Sequence, residues 1–146
     1  MKTLFLSVLL CLMTAPALTA QSPVPRSRVV TAAQVNGTWK YRGNIFNIWA
    51  LGQQKLKVEF EGLWEYKTPD GPMANSGYGV GTARIEGDTA IFKPDGFGVD
   101  DECKITMRFA RGKLIVEQEG ICGFGFNVRA EGAYRRISRA KPKFAK

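Results

Sequence analysis

The chain has 146 residues, enough for one domain, and carries 21 Lys and Arg against 13 Asp and Glu, a formal charge of +8. It contains no histidine, which excludes a Ser–His triad, a Cys–His pair and any His-ligated metal.

Residues 1–20 read as a secretory signal peptide. Lys2 is its basic start, residues 4–13 are an apolar run too short to span a bilayer, and Ala15-Pro16-Ala17 and Leu18-Thr19-Ala20 each offer a cleavage site. Cleavage removes Cys11 and leaves Cys103 and Cys122. Two cysteines in an exported chain predict one disulfide and a secreted or periplasmic protein. Residues 21–34 (QSPVPRSRVVTAAQ) have two prolines and no period, so they predict a flexible leader.

Folding is expected to begin near Val35. Gly37–Tyr41 reads as the first strand and Arg42-Gly43-Asn44 as its turn; residues 45–51 follow, apolar on both faces, and Gly52-Gln53-Gln54 turns again. Residues 55–61 show the cleanest alternation, with Leu56, Val58 and Phe60 inward and Lys55, Lys57, Glu59 and Glu61 outward. Gly62 breaks it, and residues 63–66 continue after an expected bulge. Thr68-Pro69-Asp70-Gly71-Pro72 is a turn, residues 78–85 a glycine-rich strand, Gly87-Asp88 a second turn and residues 89–93 the answering strand. In the next loop Asp95, Asp100, Asp101 and Glu102 cluster, but their spacing fits no calcium loop.

Residues 103–109 alternate again, with Cys103, Ile105, Met107 and Phe109 on one face. A turn at residues 110–113 sets Phe109 opposite Leu114, Met107 opposite Val116 and Cys103 opposite Gly120. That register leaves Cys122 diagonal to Cys103 on the same face, within reach of a disulfide after a small adjustment. The last strand of this meander is expected to carry Phe124, Phe126, Val128 and Ala130 inward. Eight short strands predict an all-β fold, an antiparallel up-and-down barrel over residues 35–138, with a two-sheet sandwich as the alternative. The expected core is Leu56, Val58, Phe60, Met107, Phe109, Val116, Phe126 and Val128.

Three Gly-x-aromatic triplets recur: Gly37-Thr38-Trp39, Gly62-Leu63-Trp64 and Gly132-Ala133-Tyr134. A short exported barrel opening on Gly-x-Trp resembles the lipocalin and avidin families. That resemblance implies a tryptophan closing the barrel floor and a small ligand in the opposite mouth. The loop after Trp39 (Lys-Tyr-Arg-Gly-Asn) departs from the avidin pattern, so biotin is not implied. The run from Cys122 to Val128 (CGFGFNV), with Gly132-Ala133-Tyr134, resembles the end segment of small bacterial envelope proteins and implies an envelope location. The expected ligand contacts are Trp39, Tyr41, Trp64, Tyr66, Phe126 and Tyr134.

Six basic residues lie in the last twelve: Arg135, Arg136, Arg139, Lys141, Lys143 and Lys146. Without them and Lys2 the chain has 14 basic residues against 13 acidic, so the excess belongs to this end. A basic tail over residues 139–146, mobile from Ala140, is expected to meet anionic lipid or lipopolysaccharide. The resulting expectation is a non-catalytic exported binding protein with a small apolar or amphipathic ligand in the barrel mouth. A protein–protein inhibitor of an invading hydrolase, or an envelope-surface protein, is the alternative. Neither a cofactor nor a nucleic-acid partner is expected: nucleic-acid binding needs interleaved aromatic and basic positions on one face, and export argues against it.

Overall fold

The computed structural model describes residues 29–96 and 102–145. The signal-peptide reading, Asp100, Asp101 and Lys146 lie outside them. The described chain forms one helical turn, α1 (Ala32–Val35), and eight strands: β1 (Gly37–Tyr41), β2 (Asn44–Gly52), β3 (Lys55–Thr68), β4 (Gly71–Glu86), β5 (Thr89–Phe92), β6 (Lys104–Ala110), β7 (Lys113–Glu119) and β8 (Gly132–Ser138). Each strand pairs antiparallel with the next, and β8 returns to β1, closing the barrel. Closure removes the free edges that an open sheet would expose.

The hairpins follow from turn chemistry. Between β6 and β7, Arg111 and Gly112 both take positive φ (50° and 77°), the geometry of a two-residue turn that matches strand twist. The register is the one the alternation predicts, with Phe109 opposite Leu114 and Met107 opposite Val116. Between β3 and β4 the pairing runs unshifted from Lys55↔Arg84 to Thr68↔Gly71. The expected bulge after Gly62 is therefore absent. Gly62 simply takes its place on the inward face, so alternation continues through Trp64 and Tyr66.

Side chains fill the interior. Trp39, Phe46, Phe60, Phe92 and Tyr134 are fully buried, as are Ile48, Ile105, Met107 and Leu114. Phe46 sits at the centre of the rings, 4.9 Å from Phe60 and 5.1 Å from Tyr134. Of the expected core, all but Phe126 are buried; Phe126 is 76% exposed.

That exception corrects the last strand. Phe124, Phe126, Val128 and Ala130 alternate like a strand, but Gly123, Gly125 and Asn127 all take positive φ, which breaks extended pairing. Residues 120–131 form an irregular loop, and the closing strand is the more polar Gly132–Ser138. Phe124 and Val128 remain buried because the loop folds over the barrel end.

The start of the fold is corrected too. Residues 30–34 do not behave as a loose leader. Val30 donates its backbone N–H to Gly87 (3.1 Å), and Thr31 and Gln34 form a capping box at the start of α1. Val35 is buried, and its carbonyl accepts a bond from Trp39 Nε1 (3.0 Å).

Candidate functional site

The barrel has two unlike ends. At the floor, α1 lies beneath Trp39, whose ring meets Phe109 edge-on at 5.9 Å. Arg136 is on β8 opposite Trp39, and its guanidinium stacks on that ring at 4.9 Å. From there Nη1 donates to the carbonyls of Ala33 (2.7 Å), Gln34 (3.3 Å) and Asn36 (3.2 Å). Burial, and then the like charge of Arg139, hold this guanidinium below its ordinary pKa. Arg136 thus ties α1 to the floor rather than facing a surface partner.

At the mouth, the loop after β7 acts as a plug. Phe124 packs on Phe60 at 4.6 Å. Three glycines on the inward face of β4 make room for the loops. A Cβ at Gly77 would overlap the Phe124 carbonyl oxygen, one at Gly79 would lie 2.6 Å from the Phe124 ring, and one at Gly81 would lie 2.9 Å from the Lys93 carbonyl. The plug is tied on every side. The Cys103–Cys122 disulfide joins it to the foot of β6, as the spacing predicts. Asn44 Nδ2 donates to the Arg129 carbonyl (2.8 Å), Asn75 Nδ2 to that of Phe126 (3.0 Å), and the Tyr134 hydroxyl to that of Ala130 (2.7 Å). Gln118 Oε1 accepts from the Ala130 N–H (2.8 Å).

β3 and β4 continue past the plug. β2 reaches β3 only as far as Glu61, and β5 meets β4 only at residues 84–86, so the hairpin beyond Gly62 overhangs the mouth. Its inward face carries Trp64 and Tyr66, stacked at 4.7 Å and 23°. Phe126 stands edge-on to Trp64 at 6.2 Å. Beside them is a cleft of about 320 Å³ lined by Tyr41, Arg42, Asn44, Trp64, Arg129 and Glu131 among others. Arg42 stacks on Tyr41 at 5.1 Å. Arg129 donates to Glu131 (2.8 Å), a bond that holds the Glu131 carboxyl below its ordinary pKa.

The six expected ligand contacts therefore separate. Trp64, Tyr66 and Phe126 come together on the rim, and Tyr41 flanks them. Trp39 and Tyr134 are sealed in the core and offer a ligand no free face. The polar half of the cleft, Arg42, Asn44, Arg129 and Glu131, was not legible in sequence. Only the fold brings residues from the β1–β2 turn and the plug side by side. The chain matches no known family model, no curated protein and no solved structure.

The tail also departs from expectation. Instead of hanging free from Ala140, it lies against the outside of β2–β4. Lys141 Nζ stands 5.7 Å from the Trp49 ring centre and Lys57 Nζ 4.5 Å from that of Phe144. The Ala145 N–H donates to Glu59 Oε2 (2.8 Å), which also accepts from the Tyr78 hydroxyl (2.9 Å), while Oε1 accepts from Asn47 Nδ2 (2.9 Å). Glu59 points outward as predicted, yet it is 1% exposed because the tail covers it.

Proposed function

We propose that this is a non-catalytic exported binding protein whose ligand meets the rim of the mouth rather than an interior cavity. The observation that carries the reading is the Trp64–Tyr66 stack with Phe126 at its edge, held over a barrel whose core is already full. Partly exposed rings held on paired strands, with the exposed Phe126 at their edge, offer apolar area at little entropic cost. Arg42 and Glu131 beside them, both exposed, supply charged and hydrogen-bonding groups for a polar edge. The matching ligand is small and amphipathic, with one flat apolar face and one polar side. A disulfide suits an oxidising compartment, which supports the secreted or periplasmic reading.

The test is a fluorescence titration with lysophospholipid, lipid A and soluble glycan fragments. Trp64→Ala and Tyr66→Ala should each weaken binding of the responding compound at least tenfold while near-UV circular dichroism stays unchanged. Undiminished binding by both variants would sink the rim as the site. A protein target is the second reading, favoured by Ile121 (82% exposed) and Phe126 projecting from the disulfide-pinned plug.

A further inference from the structure

On the barrel wall between floor and mouth, β1, β8 and β7 lie side by side. Register places Lys40 directly opposite Arg135, and Arg135 directly opposite Lys113. All three side chains are exposed. Adjacent strands are about 4.8 Å apart, so the row packs three positive charges into roughly 10 Å. Like charges directly opposite one another destabilise a sheet. Among the described residues none of the three side chains is in an ion pair or a side-chain hydrogen bond. Along the outer face of β7 the next carboxylate is Glu117, about 13 Å beyond Lys113. Arg111, in the turn before Lys113, adds a fourth exposed cation.

We infer that this wall is a docking surface for an anionic phospholipid membrane, with Arg135 at its centre. A repulsive row that the fold itself does not neutralise is complementary to a dense plane of negative headgroups. The wall also carries Ile137, 51% exposed and two residues beyond Arg135 on the same face of β8, with Arg139 two further on. An isoleucine set between cations suits the headgroup boundary, where an apolar side chain sinks while its neighbours pair with phosphate. Beyond Arg139 the tail lies on a different wall, against β2–β4. Arg136 is committed to the floor, and Lys141 lies against Trp49. The surface is separate from the aromatic rim and stands or falls without it.

The experiment is co-sedimentation of the full mature chain with phosphatidylcholine vesicles containing or lacking phosphatidylglycerol, at low and physiological salt. The expected result is binding to the anionic vesicles alone, weakened by salt. Arg135→Gln and Lys113→Gln should each reduce it about fivefold. Deleting residues 140–146 should change it less than either substitution. Arg135→Gln should also leave the melting temperature equal or raised, because it relieves repulsion. The inference is overturned if the Lys40→Gln/Lys113→Gln/Arg135→Gln triple variant binds as the wild type does, or if the tail deletion abolishes binding. It is equally overturned if Arg135→Gln lowers the melting temperature, or if the protein binds a soluble polyanion such as heparin but not the vesicles.

Discussion

The floor and the mouth of this barrel are both closed, but by different physics. The floor is closed by a few side chains and one helical turn: Trp39 bonds Val35 and meets Phe109, and Arg136 reaches across from β8 to the carbonyls of α1. The mouth is closed by an irregular loop lying on a glycine-lined strand and tied by a disulfide and side-chain amides. Material at the floor is spent on sealing. At the mouth, the same loop that seals also presents Phe126 outward, against Trp64. Rigidity beneath and exposure above are the conditions under which a surface aromatic can serve recognition.

The sharpest way to break the floor is Trp39→Ala. Removing a fully buried indole, its hydrogen bond to Val35 and the stacking face of Arg136 should cost about 3–5 kcal/mol and loosen α1. Urea unfolding measures the loss, and hydrogen exchange at Val35 and Asn36 reports the helical turn. A cost near zero would mean the floor does not depend on Trp39.

An intermediate effect is expected at the mouth from Gly77→Ala. The added methyl collides with the Phe124 backbone and Val128, so the plug must shift. Overpacking of this kind should cost about 1–3 kcal/mol. Unlike the floor variant, it should raise exchange in residues 122–130 while leaving α1 protected. Equal loosening at both ends would show that the ends are one cooperative unit.

The smallest effect belongs to the rim. Trp64→Ala should cost about 1 kcal/mol, because Trp64 is only partly buried, at the edge of the core and against Tyr66 and Phe126. A loss as large as that of Trp39→Ala would make Trp64 a core residue and remove the contrast between rim and floor.

Sequence made the barrel wall legible and left its ends obscure. Leu56, Val58 and Phe60, or Ile105, Met107 and Phe109, alternate because each strand has one wet face, and period two survives in the sequence. The cysteines were readable because a fixed strand register sets their separation. Residues 72–77 (PMANSG) show no period because the overhanging part of β4 has no core beneath it. Residues 124–130 show a false one: Phe124, Val128 and Ala130 turn into the barrel from an irregular loop, while Phe126 between them points out. α1 is too short to display helical spacing. The position of the tail depends on Glu59, a residue that reads as a surface carboxylate until Ala145 is laid over it. The rim joins residues far apart in sequence, so no local pattern announces it.

Pairing of β8 with β1 has a consequence for the making of this protein. The first strand waits for the last, since Gly132–Ser138 must be present before the ring can close. Every shorter nascent chain carries β1 with an open edge, able to pair with another unfinished copy. Closure is also a contact between opposite ends of the chain, and such contacts form slowly. A chain stopped before Gly132 would hold most of the core residues and still be a template for aggregation, so the final seven-residue strand is where synthesis of this molecule becomes safe.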